Sequence, residues 1–288
     1  MASQIVGETK VLGVIGDPIA RSFSPVIHNT VAKRYGHNVV YVPFHVKASR
    51  LREAVAGAYA LNIKGLNVTM PHKQEIIPLL AGLDETARQA DSVNTLQYTE
   101  NGYIGHNTDY VGLIKCLQMH NVQLKGKNAV VIGAGGGAYA AVMMAAAEGA
   151  KHIYVLNRTT QRANKMVSHF KKYFSTLMTV HTFDELSLIE APDVVIQTTS
   201  IGFGQLKDLS PVQDASFFKK VEVALDIIYS PWETKFLQDA KVQGCMAING
   251  LAMLVFQALA AYEIWNGLEI EPDVYDEIHK EYERLYIN

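Results

Sequence analysis

The sequence has two cysteines, Cys116 and Cys245, in 288 residues, and neither has a CxxC or a Cys/His cluster beside it. That excludes a disulfide framework and a structural zinc site, and it fits a reducing cytosol. Charge of one sign is missing as well: 26 Lys+Arg against 28 Asp+Glu leave a formal net charge of -2. Without a clustered basic excess, nucleic acid is a poor partner and a small molecule a better one. Long apolar runs are also absent. The first ten residues hold no apolar core of the signal-peptide kind, and the longest apolar stretch, 251–265, is broken by Gln257 and Glu263. Neither export nor a membrane span is expected.

What is present is an ordinary globular composition, 49% hydrophobic and 19% charged, on a chain long enough for two domains of about 150 residues. Apolar, β-branched runs alternate with stretches of helical period, the signature of βαβ units around mostly parallel sheets. Strands are expected at 10–15, 39–46 and 63–70, and an antiparallel hairpin at 93–98 and 103–105 around the turn ENG. In RSFSPVIHNTVAKRYG, Ser24 is the expected N-cap, Pro25 suits the first helical position and Gly36 ends the helix. A second block opens with a strand at 128–132, and KHIYVLN, PDVVIQTTS and VEVALDIIY follow as strands with room for crossover helices. After about residue 249 only helices are expected, and spacing does not say which block they join.

Gly133, Gly135 and Ala138 give GxGxxA where a strand ends and a helix begins, and Ala134, Gly136 and Gly137 keep the loop small. Small residues let the backbone approach a pyrophosphate, and the helix N-terminus holds its charge. A glycine turn used only for close packing is the plain alternative. The next strand ends at Asn157, where an NAD site would place a carboxylate for the ribose. Here the run is NRTTQR, with Arg158 and Arg162 as forked donors and Thr159 as a hydroxyl for a 2′-phosphate, which points to NADP. A solvated helix entry capped by Thr159 is the bland reading of the same residues.

In the first block, polar residues gather where strands end: Ser22 and Ser24, then Asn67, Thr69 and Lys73 in NVTMPHK, then Asn94, Asn107 and Asp109. Serines at a helix entry suit a carboxylate, and amides and hydroxyls suit alcohols, so a polyhydroxylated acid fits. Hydride exchange at an alcohol carbon also needs a proton moved at oxygen, for which Lys73 and Asp109 are the candidates. Spacing alone leaves Lys73 equally readable as a solvated lysine and Asp109 as a helix cap. The histidines, among them His28, His37, His45, His72 and His106, are not at ligand spacing, so no metal is expected. The Met143, Met144 and 145–147 Ala run reads as core packing.

The segments GDPIARSFSPVIHN, NVTMPHK, SVNT, GHNTDYVG, VVIGAGGGAYA, NRTTQR, QTTSIGF, DIIYSPWET and NGLAMLVFQ resemble, in order, the motifs of shikimate dehydrogenases over almost the whole chain. The resemblance implies an NADP-dependent interconversion of shikimate and 3-dehydroshikimate, on the way to chorismate and the aromatic amino acids. It implies two open α/β domains: a substrate domain with a mixed, mostly parallel sheet (1–108 plus 250–288) and a Rossmann-type NADP-binding domain (109–249). On the same ground Ser22 and Ser24 bind the substrate carboxylate, Asn67, Thr69 and Asn94 its hydroxyls, and Lys73 is catalytic with Asp109 paired to it. Tyr229 and Gln257 match further substrate positions, and Thr198, Ile227, Gly250 and Met253 fall near the expected nicotinamide path. A monomer or homodimer is expected. Phe23, Gln197 and Phe203 depart from the family, which favours Leu, Asn and Met there. Activity on quinate, use of NAD, and a non-catalytic sensor of dinucleotide are the competing expectations.

Overall fold

The computed structural model describes residues 5–287. The chain divides into two compact units: unit 1 runs to Val111 and resumes at Val255, and unit 2 is Gly112–Leu254. Among the described residues, no helix is long and apolar enough to cross a membrane.

Unit 1 is built from β1 (Lys10–Gly16), α1 (Ser24–Arg34), β2 (Val39–His45), α2 (Leu51–Ala60), β3 (Gly65–Val68), β4 (Gly82–Leu83), α3 (Glu85–Ala90), β5 (Thr95–Thr99) and β6 (Gly102–His106). Its described strands lie in the order β2-β1-β3-β5-β6-β4. β1 runs parallel to both β2 and β3, whereas β5 pairs antiparallel with β3 and β6 as the ENG hairpin requires, so the sheet is mixed. β3 is shorter than the expected 63–70 because the chain leaves the ladder ahead of Pro71, which has no N–H to donate. β4 was not expected; two residues are too few for a period of two to register. The core gathers Ile15, Leu66, Val68, Ile76, Val93 and Leu96, each at or near full burial and worth about 1.5–3 kcal/mol.

Ser24 is not the cap of α1. Phe23 occupies the N-cap position with no side-chain hydrogen bond, and Ser24 is already helical with Pro25 behind it. Pro is tolerated throughout a helix's first turn, so SP fixes the start only to within a residue. Gly36 follows the helix in the left-handed region as expected. Phe23 is fully buried, edge-on to Tyr282 and Tyr286 of α9 (Val274–Tyr286), so this departure from the family's leucine is filled by aromatic packing.

Unit 2 holds most of α4 (Asp109–Met119), then β7 (Asn128–Ile132), α5 (Gly136–Ala147), β8 (His152–Leu156), α6 (Thr160–Phe170), β9 (Leu177–His181), β10 (Val194–Gln197), β11 (Val223–Asp226), α7 (Lys235–Val242), β12 (Met246–Ile248) and the start of α8 (Leu251–Asn266). The described strands lie in the order β12-β11-β10-β7-β8-β9, all parallel. β9 and β12 were not expected. Both are edge strands, and the exposed Leu177 and Met246 in them blur the apolar signal. Every residue from Ala138 to Ala146 in α5 is buried, which accounts for its alanines and paired methionines as packing.

Candidate functional site

Open α/β sheets bind ligands at a point where the strand order reverses, and each unit has such a point beside its first strand. In unit 1 that point is between β1 and β3: Thr69 N–H donates to the Ile15 carbonyl, and the backbone N–H of Ser24, at the entry to α1 that follows β1, bonds the Ser22 hydroxyl at 3.3 Å. Beyond β3 the chain turns so that Val93 N–H reaches the Lys73 carbonyl at 2.8 Å, fastening the lysine's segment to the one that carries Asn94.

Lys73 Nζ donates to Asp109 Oδ2, with the carboxylate buried and the ammonium partly open. The second carboxylate oxygen accepts from Asn94 Nδ2 at 3.0 Å. The same amide reaches Thr108 Oγ1 at 2.9 Å and Gln257 Oε1 at 3.1 Å, and its oxygen accepts from Thr108 N–H at 2.7 Å. Asp109 opens α4, yet it does not cap that helix; Asn107 Oδ1 takes the Tyr110 N–H at 3.1 Å. The Asp109 carboxylate is therefore free of helix duty and committed to Lys73. A buried carboxylate with a hydrogen bond to each oxygen and its counter-ion in contact is held in one geometry, and removing the lysine leaves its charge uncompensated. Ser24, Asn67, Asn94, Asp109 and Gln257 are buried, while Ser22, Thr69 and Lys73 are half-buried.

In unit 2 the reversal lies between β7 and β10, where Thr198 N–H and Oγ1 both donate to the Ile132 carbonyl. Gly133 follows with φ +120°, and a Cβ there would meet Thr198 Oγ1 at 2.5 Å, so only glycine makes the turn. Ala134 and Gly136 are half-buried beside it. Gly135 is the N-cap of α5, exposed and without a side-chain hydrogen bond. A Cβ on Gly137 would meet Ile227 Cδ1 at 2.9 Å, so the glycine lets the helix entry sit on the loop after β11. Gly250 N–H donates to the Ile228 carbonyl on that loop at 3.1 Å, and the buried Met253 lies one turn into α8 with its backbone beside the Cys116 thiol.

After β8, Asn157 Nδ2 closes onto the Thr159 carbonyl at 2.8 Å, and Thr159 is the N-cap of α6 without using its hydroxyl. Arg158 and Arg162 are exposed, and among the described residues neither guanidinium has a hydrogen-bond or ion-pair partner. An uncapped helix entry, an open glycine cradle and two uncommitted guanidiniums fit a phosphorylated dinucleotide. Among the described residues, no group of three or more His, Cys, Asp or Glu could hold a metal ion.

Two family models match the chain: the shikimate dehydrogenase substrate binding domain over residues 14–96, and shikimate / quinate 5-dehydrogenase over residues 116–206. The shikimate dehydrogenase (NADP(+)) of Crocosphaera subtropica is 38% identical over 97% of this chain and 98% of its own. The chain belongs to the shikimate dehydrogenase family. Among solved structures, a chorismate mutase/shikimate 5-dehydrogenase fusion protein from Clostridium acetobutylicum superposes with TM-score 0.89 at 36% identity, covering 97% of this chain and 99% of that one. A shikimate dehydrogenase in complex with NADP+ superposes with TM-score 0.88 at 35% identity, covering 98% of each chain. The two α/β folds described above are those of the family.

Several residues of this family member take part without having been expected. Tyr41, Thr95 and Thr108 are buried and bonded to Asn67 or Asn94. Thr108 lay in plain view inside NTD, whereas Tyr41 sits on a strand whose alternation reads only as core. Gln197, the departure from asparagine, folds back from the end of β10 to take Thr199 N–H and to reach the Thr199 and Ile201 carbonyls, bracing the loop after it. Asp226 does the same at the end of β11, accepting from Ile228 N–H at 3.0 Å and Thr234 Oγ1 at 2.7 Å. Burial pushes its carboxyl up to about 7, against those two hydrogen bonds. Asn249 Nδ2 holds the far side of the same loop through the Trp232 carbonyl at 2.6 Å. That loop carries Ile227 and Tyr229.

Proposed function

We propose that this chain interconverts 3-dehydroshikimate and shikimate with NADP(H), a step of chorismate and aromatic amino-acid biosynthesis. The observation that carries the reading is the Lys73–Asp109 pair, its carboxylate buried and held by Asn94 at the end of the unit 1 strands. NADP(H), when bound, supplies or accepts the hydride. Lys73 holds the substrate oxygen by hydrogen bonding and exchanges its proton there. Asp109 orients the ammonium and offsets its charge, and Asn94 with Thr108 keeps the carboxylate in place.

Ser22 and Ser24, at the entry to α1, take the substrate carboxylate, while Asn67, Thr69 and Asn94 take ring hydroxyls, with Tyr229 and Gln257 as further substrate contacts. Gly133, Ala134, Gly135, Gly136 and Gly137 receive the diphosphate. Asn157, Arg158, Thr159 and Arg162 receive the 2′-phosphate, and Thr198, Ile227, Gly250 and Met253 line the nicotinamide. Substrate binding is assigned to 1–108 with 250–288 and dinucleotide binding to 109–249. Two free, buried cysteines, Cys116 and Cys245, support a reducing cytosol as the working compartment, and the chain acts as a monomer or homodimer.

Initial rates of dinucleotide reduction, followed by absorbance with shikimate and quinate, each with NADP+ and NAD+, test the assignment. Shikimate with NADP+ is expected to give the highest kcat/KM of the four. No reduction in any combination returns the chain to a binding role, and quinate with NAD+ in first place makes it a quinate dehydrogenase.

A further inference from the structure

Asn67 is bonded on every side but one. Its Nδ2 donates both hydrogens, to the Asn94 carbonyl at 3.2 Å and to Thr95 Oγ1 at 3.1 Å. A backbone carbonyl can only accept, so the amide nitrogen must face Asn94 and the amide oxygen must face the other way, toward Tyr41. Tyr41 has a single phenolic hydrogen, and it goes to Asn67 Oδ1 at 2.7 Å. Both side chains are buried, Asn67 to 6% and Tyr41 to 1% exposure, so no bulk water competes for these groups. What Asn67 has left is one lone pair on Oδ1, which the His28 ring approaches without a hydrogen bond of good geometry.

We infer that Tyr41 is a positioning residue for Asn67, and that the pair presents its ligand with acceptor capacity only, selecting a hydroxyl that donates over a carbonyl that cannot. This rests on the assignment of Asn67 to the substrate. It separates two oxygens of one polyhydroxylated ring. The oxygen beside Lys73 alternates between carbonyl and alcohol during turnover, and an ammonium can donate to both forms. The oxygen beside Asn67 must keep its proton in both, so it is a spectator hydroxyl, and a ring presenting a ketone there meets a lone pair against a lone pair.

The tyrosine is itself held from below. The His28 ring stacks on it with centroids 4.1 Å apart and planes 14° from parallel, and Trp265 and Tyr262 close the stack. His28 is fully buried, and neither ring nitrogen makes a hydrogen bond of good geometry. Burial holds its pKa down to about 3, against the opposing pull of the Asn67 side chain, so the ring stays neutral and packs as an aromatic. Above the tyrosine, the Ser24 hydroxyl flanks the phenol oxygen. One buried hydroxyl thus sits next to two groups assigned to the substrate, Ser24 and Asn67.

The test compares wild type, Tyr41→Phe, Asn67→Ala and the double variant by steady-state kinetics, dinucleotide titration and unfolding midpoint. Phenylalanine keeps the stack on His28 and removes one oxygen. In Tyr41→Phe the KM for shikimate is expected to rise about tenfold, the size of one buried hydrogen bond, with kcat and NADP+ affinity within about twofold of wild type. Adding Tyr41→Phe to Asn67→Ala should then change nothing more. An unchanged KM in Tyr41→Phe, or the same rise in both backgrounds, overturns the positioning role. If Asn67→Ala itself leaves the KM for shikimate unaltered, the assignment of Asn67 to substrate is what fails. A readout on the unmodified protein uses shikimate analogues in which each non-reacting ring hydroxyl is replaced by hydrogen or fluorine. At the position facing Asn67, fluorine, which has no proton, should bind no better than hydrogen. Fluorine restoring affinity at every non-reacting position overturns the acceptor-only reading.

Discussion

The reversal between β1 and β3 and the one between β7 and β10 are furnished in opposite ways. At the one in unit 1, polar groups are buried and committed to one another: Asn94 alone bonds Thr108, Asp109 and Gln257, and Asn67 keeps a single lone pair. At the one in unit 2, the groups set for a ligand are exposed or uncapped: Gly135 at the head of α5, and Arg158 and Arg162 without protein partners among the described residues. The difference follows the ligand chemistry. Hydroxyls are neutral and differ only in direction, so reading them needs donors and acceptors fixed in advance in a low dielectric. Phosphates are charged, and attraction to a guanidinium or a helix entry tolerates flexible groups in water.

The sharpest way to break this division is Lys73→Ala. Turnover should fall by about 10²–10⁴-fold with NADP+ affinity within about twofold, because the lysine works only at the substrate oxygen. The unfolding midpoint should drop too, since Asp109 is left buried without its counter-ion. A parallel loss of dinucleotide affinity would mean that the two sets of groups are not separable. Arg158→Ala probes the other side. Losing one charged hydrogen-bond donor to phosphate should raise the KM for NADP+ about 10–100-fold while leaving those for NAD+ and shikimate near their starting values. Equal rises for NADP+ and NAD+ would take Arg158 off the 2′-phosphate.

The same contrast governs how much could be read from the chain. β7 is found at the expected 128–132 because a polar turn, an unbroken apolar run and a glycine bound it. The glycine turn after it was equally legible, since closely spaced small residues between strand and helix have few other uses. The pairing of Lys73 with Asp109, 36 positions apart, has no local signature: the need for a proton-transfer group makes each a candidate, and only the resemblance to a family joins them as a pair. Tyr41 was invisible for a related reason: a tyrosine on a buried strand face satisfies the core pattern whatever its hydroxyl does. Asp226 is hidden inside VEVALDIIY, where it, like Glu222, looks like a strand residue turned outward. In the fold it ends the strand and turns inward.

Asp226 also limits the contrast, because it is a committed, buried polar group in the unit whose phosphate-facing donors are free. Its carboxyl lies near 3.8 in an unfolded chain and near 7 in the folded unit, raised by burial. Between those values the folded protein keeps a proton that the unfolded chain has released, so this group's stabilising contribution is complete below about 3.8 and is lost as pH climbs through about 7. Asp226→Asn has nothing to titrate and lacks that slope. The unfolding midpoint of wild type minus that of the variant should therefore shrink between about pH 5 and about pH 8, by about 2–4 °C for each kcal/mol. A difference that stays level across that range would mean the carboxylate is as well solvated by Ile228 N–H and the Thr234 hydroxyl as by water. The loop carrying Ile227 and Tyr229 would then be braced by a permanently charged group.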